Sequence, residues 1–583
     1  MKSIKFLIFF IIPFIGLSQE TENQSIFNQF LNNLSGSVES NAQWYIDDDK
    51  LGDFYDPNFP LSNEPFRANT YLSLDYNFFK NFTVGLQVES YEPLPLLNYY
   101  PGYDETNLAT YYANYKNEKL DITAGYFYEQ FGSGLLLRSY EERQLGLNNA
   151  MRGGRIKYSP TGFLNFIGLY GQQRNGFKVS NSNIFGFDAD IDVSSALNME
   201  GLSSFNFGLS YVGKYESFTP ESSSFYTANF PEMINSYSVR ADIDFGKIYS
   251  SIEYSLKGED VAYTPPSSGV PTIIEGNYFK GNALLFNIGY TKKGIGASAT
   301  FRRLENMAFY SEREYGIPGS NEFNMLSVNF IPALTKQQDY SLANIYIYQA
   351  QPTLQLQDFA GQAGEIGGQF DLFYKFKKET IIGGKYGTKL SANFSYWALL
   401  DATFDESQGT YDAEFLKFGS RLNRDFNFEI RKKFSKKWSS IFTYINTITD
   451  KGVTLGGPLG VQGNIKANIA IAEVTHKLGK GKSIRIEGQH LWTKQDDKNW
   501  AGATLEFNAS NRLSFYLNDS YNYGNDVEND QIHFYNFGGS YSKGATRIAL
   551  NYGRQRGGLS CVGGVCRFVP ESNGLTVNLS TSF

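Results

Sequence analysis

The chain has 583 residues and a formal net charge of -7, with charged residues at 19%, aromatics at 16% (49 Phe, 41 Tyr), 57 Gly and two Cys. Charge of this size says little about partners, but no basic patch interleaved with aromatics occurs, which excludes nucleic-acid binding. After the N-terminal segment no run approaches 18 apolar residues, so membrane-spanning helices are excluded too.

In chain order, Lys2 and Lys5 precede an apolar run from Phe6 to Ile15, and Gly16 and Ser18 stand where a signal peptidase reads small residues. Residues 1–18 are therefore expected to be a cleaved signal peptide, 19–33 a short periplasmic tail and 34–583 a single β-barrel. From Ala68 to Phe78, Ala68, Thr70, Leu72, Leu74, Tyr76 and Phe78 share one face, and Asn69, Ser73, Asp75 and Asn77 the other. After a turn at Lys80 and Asn81 the alternation resumes with Phe82, Val84, Leu86 and Val88 against Thr83, Gln87 and Glu89. The same period of two returns from Tyr237 to Phe245, from Ile248 to Lys257, and at the end, where Leu575, Val577, Leu579 and Phe583 alternate with polar residues.

Short connections are expected near Lys80, Asn117, Pro160, Asn198, Gly246, Lys292, Ala333, Glu379, Ser435, Gly479, Ser510 and Lys543. Longer stretches rich in Gly, Pro, Asp and Asn separate them, and Tyr340–Tyr348 is read as a strand after a turn at PALTKQQ. Short turns on one side and long loops on the other are the outer-membrane pattern. The expected fold is all-β: a large closed antiparallel transmembrane barrel of about 26 strands (roughly 22 to 26), with short periplasmic turns, long extracellular loops and no separate plug domain. A sheet in lipid must close, because hydrocarbon offers its backbone no hydrogen-bond partners. So wide a barrel needs narrowing by flattening, by its own loops or by a partner.

GYFYEQFGSGLLLRSYEERQLGLNNAMRGGRIKY, NFIPALTKQQDYSLANIYIYQ and SCVGGVCRFVPESNGLTVNLSTSF resemble a family of large outer-membrane barrels of the Bacteroidota whose function is unassigned. The likeness runs the mature length and implies location and architecture, with no catalytic residues. The first stretch is also similar, in general plan, to charged stretches of porins that pass anionic and carboxylate solutes. The terminal Phe583 resembles the signal such barrels present to their assembly machinery.

That first stretch concentrates the chemistry. Its flanks place Arg155, Lys157, Asp121 and Glu129 toward the lumen, while Leu120, Ile122, Tyr126, Ile156 and Tyr158 face lipid. Leu135, Leu136, Leu137, Leu145 and Leu147 are out of place in an exposed loop. Residues 131 to 151 are therefore expected to fold back into the barrel, with Arg138, Glu141, Glu142, Arg143, Arg152, Arg155 and Lys157 lining the lumen, where their pairing either fills it structurally or forms a charged, selective constriction. Asp188, Asp190 and Asp192 share a strand face and are weak candidates for a cation, with a solvated lumen face as the plainer reading. Cys561 and Cys566 enclose two glycines in the last long loop and are expected to be bridged in an oxidising compartment.

Catalysis lacks a base, since His476 and His490 share the apolar parity of Val474 and Ile486. No enzyme and no cofactor is expected. The expected function is an outer-membrane channel for hydrophilic solutes, and the alternative is a non-transporting barrel subunit or scaffold of an outer-membrane complex. Expected partners are outer-membrane lipid, the assembly machinery during biogenesis, and a surface lipoprotein or other outer-membrane protein.

Overall fold

The computed structural model describes residues 31–51, 64–97, 99, 103, 105–201, 203–217, 231–260, 279–313, 325–327, 339–354, 361–405, 410–455, 459–562 and 565–583. The signal segment and most of the expected tail lie outside these residues. Among those described, 24 antiparallel strands form one closed ring, and the short segment Lys178–Val179 pairs at its edge. The count falls within the expected range and is even, as an up-and-down barrel with both ends on one side requires. The ring closes where Leu34–Tyr45 pairs with Ser572–Ser582, from Ser37 opposite Ser582 to Tyr45 opposite Gly574. Phe583 and Gly36 exchange backbone hydrogen bonds of 3.0 Å just beyond that register.

Eleven of the twelve short connections, all but the one at Ala333, lie where the alternation places them. Ala333 lies outside the described residues, and Tyr340–Tyr348 is not a strand but a succession of turns. The reason is in its composition: Leu342, Tyr346 and Tyr348 on one parity and Ala343, Ile345 and Ile347 on the other are all apolar and all buried. A wall strand with lipid on one side has no polar inner face to offer from such a stretch, whereas a segment packed on several sides satisfies both parities.

Outward-facing residues such as Leu86, Val239, Ile252 and Phe442 remain exposed, an apolar outer face of the kind outer-membrane barrels present. The inner face changes with height. Along Ile248–Asp260 the inward positions run from Tyr249, 45% exposed at the short-turn end, through Glu253 at 5% to Ser255 at 0%. The barrel interior is thus open at the short-turn end and filled toward the long loops.

Two apolar clusters do most of that filling. In one, Phe131, Leu135, Leu136 and Leu137 pack with Met307, Phe309 and Leu326 against inward residues such as Leu169, Ile184, Val212 and Leu304. In the other, Tyr340, Leu342, Ile345 and Tyr346 cover Ile465, Ala467, Ile469 and Ile471 on Asn464–Gly479. That strand carries apolar residues inward, where a water-filled pore would want polar ones, so it requires this cover.

Candidate functional site

The loop of residues 128–150 joins Leu120–Phe127 to Met151–Thr161. Its leucines Leu135, Leu136, Leu137, Leu145 and Leu147 are all buried, as expected of a segment turned inward. Hydrogen bonds tie it to other interior segments: Arg138 N donates to Leu326 O at 2.8 Å, and the Asn149 side-chain Nδ2 to Met325 O at 3.0 Å. On the wall side, Ser133 N donates to Glu253 Oε2 at 2.8 Å. From above, Arg567 Nη1 donates to Leu145 O at 2.7 Å.

Arg143 is the loop's meeting point with the wall. Its guanidinium reaches Glu39 at 2.8 Å on the first strand and Glu141 at 3.1 Å in its own loop, donates to Gln87 at 3.3 Å, and lies 4.4 Å from the Tyr71 ring centre. Burial acts to lower its pKa, but the carboxylates of Glu141 and Glu39 outweigh it and hold Arg143 above the ordinary arginine range. The Tyr99 hydroxyl donates to the Arg143 carbonyl. Burial pushes Tyr99 and Tyr103 up to about 12 each, so this aromatic cluster stays uncharged.

Arg143 and Glu39 keep 23% and 35% of their side-chain surface in solvent, while the neighbouring pair Arg174 and Glu89, joined at 2.6 Å, keeps 0% and 1%. Sealed pairs of that kind act as internal struts. The Arg143 node is wet.

Below the loop, Arg155 pairs with Asp121 at 3.0 Å and with Glu129 at 3.4 Å, and Lys157 pairs with Glu129 at 2.7 Å, all on the inward parity. Arg138 stacks 4.5 Å from Tyr140, and Glu142 accepts from Gln144 N at 3.1 Å, both within the loop. Arg152 does not belong to the constriction. It lies opposite Tyr126 and shares the lipid-side parity of Ile156 and Tyr158, and it hydrogen-bonds Gln172 at 3.3 Å. A displacement of one residue along a strand transfers a side chain to the other face.

Asp188 and Asp190 do face inward, where Arg240 bonds the first at 2.9 and 3.0 Å and the second at 2.6 Å. They border a cavity of 570 Å³ beneath the loop with Asp242, Glu253 and Asn287. Asp192 instead caps a short helix through Ser195 N at 3.0 Å. Among the described residues no three His, Cys, Asp or Glu side chains are grouped to hold a metal ion. Cys561 and Cys566 are disulfide-bonded across a small hairpin in the last loop. His476 stacks on Trp438 at 4.0 Å and His490 lies tilted against Trp492 at 4.1 Å, on the outer face where their parity puts them.

Periodicity left several of these partners unseen. Glu39 and Arg143 are 104 residues apart, and Glu89 and Arg174 85 apart. The contribution of residues 339–354 to the interior was hidden behind an expected strand. Its one signal was that YSLANIYIY is apolar on both parities.

The chain belongs to a family of unknown function, DUF6029, whose model matches residues 1–583. No curated protein matches it. Among solved structures it is similar to OccK3 (OpdO) of Pseudomonas aeruginosa, with 9% identity, 96% of this chain and 99% of that chain covered, and a TM-score of 0.35. It is similar also to the siderophore receptor PirA of the same organism (10% identity, 94% and 80% covered, TM-score 0.40) and to the outer membrane transporter YddB of Escherichia coli (8%, 95% and 81%, 0.36). At such identities no residue role passes from one chain to the other.

Proposed function

We propose that this member of the DUF6029 family is a porin-like channel for hydrophilic solutes, narrowed at its long-loop end by its own inward-folded loops. The observation that carries this reading is the Arg143, Glu39 and Glu141 node, whose side chains keep part of their surface in solvent in an interior otherwise packed by apolar clusters. A barrel of 24 strands left open would admit far more than small solutes, so interior packing is needed, and a wet charged seam through that packing offers water and ions a route. The open short-turn half, with Arg155, Lys157, Asp121 and the acidic cavity around Arg240, is the vestibule below that seam.

Mixed charge at close quarters favours small polar or zwitterionic solutes over bulky apolar ones, since each ion passing the node exchanges hydration for a fixed partner. The extent of the apolar packing favours a second reading, a closed barrel serving as scaffold of an outer-membrane complex. Single-channel conductance separates the two. Deleting residues 135–147 should raise conductance, and Arg143→Ala should shift ion selectivity toward cations. Unchanged conductance after the deletion, in a barrel shown to be closed and assembled, overturns the channel reading.

A further inference from the structure

Charged groups on the lipid-facing side near the long loops are partnered in different ways: Arg554 is held by Asp48 at 2.7 and 2.8 Å, whereas Arg152 meets the neutral Gln172 at 3.3 Å. Arg421, Arg424 and Lys466 are three such cations gathered in one place. Arg424 lies opposite Ile448, which lies opposite Lys466, and all three share the face of Phe426 and Phe442, which are exposed. Arg424 donates to Asn446, and Arg421 donates to Asn464 at 3.3 Å. Asn446 and the Tyr444 hydroxyl both donate to Asn468, at 2.8 and 2.7 Å. The two arginines thus donate to neutral amides, Asp425 beside Arg424 in the chain is buried on the inward face, and among the described residues no carboxylate lies within 4.0 Å of any of the three cations. The Nε atoms of both arginines are buried without an acceptor, and Lys466 is exposed.

Their height is informative. His476, stacked on Trp438, marks the lower aromatic girdle on this strand. Lys466 lies ten positions higher, and at ~3.3 Å per residue with a tilt of roughly 40° the climb is about 25 Å, the height of an apolar band. Exposed Phe426, Phe442 and Val474 line the wall between, and Trp492, also exposed, sits opposite Asn468. The cations therefore stand where acyl chains give way to headgroups. A guanidinium within hydrocarbon would be costly, and at the headgroup level it needs an anion to complete it. Among the described residues the wall offers none within 4.0 Å, so the anion comes from outside.

We infer that Arg421, Arg424 and Lys466 form a site on the outer wall for the phosphate-bearing headgroup of a lipid in the long-loop leaflet. Two forked donors and an ammonium match phosphate oxygens, and the apolar wall beneath receives the acyl chains. This rests on the barrel spanning a membrane and is independent of whether its lumen conducts.

The test uses the full chain in uncharged detergent with Trp492 as reporter, its signal isolated by subtracting that of Trp492→Phe. Brominated phosphatidic acid is titrated beside brominated diacylglycerol of the same chains, and folding is verified by heat-dependent gel mobility. Phosphatidic acid should quench at a concentration about tenfold lower than diacylglycerol. The combined variant Arg421→Gln, Arg424→Gln, Lys466→Gln should erase the difference, and Arg554→Gln should preserve it. Equal quenching by both lipids, or a difference that survives in the triple variant, overturns the site. Inorganic phosphate displacing phosphatidic acid at equal concentration overturns the lipid as its source.

Discussion

Glu365 is where the interior segment of residues 339–354 is fastened to the wall. Fully buried on the inward face of Gly364–Lys375, it accepts from the Arg302 guanidinium of the adjacent strand, from the Tyr348 hydroxyl, and from Gln351 N at 2.7 Å. Arg302 lies 4.8 Å from the Trp397 ring centre and Tyr348 stacks on the same indole at 6.0 Å. Glu365→Ala strips this buried guanidinium of its carboxylate, which costs about 3 to 5 kcal/mol. It also takes the acceptor from two loop donors, at ~1 to 3 kcal/mol each, with incomplete additivity. Replacing both charges, as in Arg302→Met with Glu365→Met, removes the uncompensated charge and should recover most of the first term. The fastening of the loop stays lost, so the double variant should be more stable than Glu365→Ala by most of that first term, remain below the parent by the loop term, and be as conductive as the single variant. Heat-dependent gel mobility reads the stability and planar-bilayer recording the conductance. A double variant as unstable as Glu365→Ala would refute the buried-charge account, and parental conductance in both would refute the fastening.

Leu86→Arg, on the exposed outer face, should cost about 2 to 4 kcal/mol in equilibrium unfolding from lipid vesicles, whereas Ser251→Arg, inward beside the acidic cavity, should cost little. Comparable losses at both sites would contradict the assigned faces. Cys561→Ser with Cys566→Ser should loosen the last hairpin toward proteolysis while the barrel stays folded, because the bridge closes so short a loop; loss of the folded gel band would count against this. Tyr99 and Tyr103, both raised by burial to about 12, should resist ionisation in near-ultraviolet titration. Their folded pKa values exceed the unfolded value of about 10, so the stability they lend is complete below pH ~10 and is lost as pH rises toward 12. Ionisation of both near pH 10 in the folded barrel would refute their burial.

Alternation along single strands was legible without any fold, because which face a residue takes is a local property of extended chain. It placed eleven turns, the outward Leu86 and Val239, the inward Arg155 and Lys157, and the outward histidines. The leucines of residues 131 to 151 announced burial because apolar surface left in water is unfavourable wherever it lies. Arg152 was missed by a rule the sequence already contained, its parity with Ile156.

What lay beyond the sequence depends on closing the ring. Glu39 meets Arg143 and Glu89 meets Arg174 only because closure brings strands and loops that are distant in the chain into one interior. No periodicity records that, since periodicity describes one strand and its two sides. Likewise the apolar inward face of Asn464–Gly479 makes sense only with Tyr340–Tyr346 laid over it. The sequence by itself determined which face each strand residue would take; the tertiary structure decided what each inward residue would touch, because contact inside a closed barrel is set by ring order and loop length together.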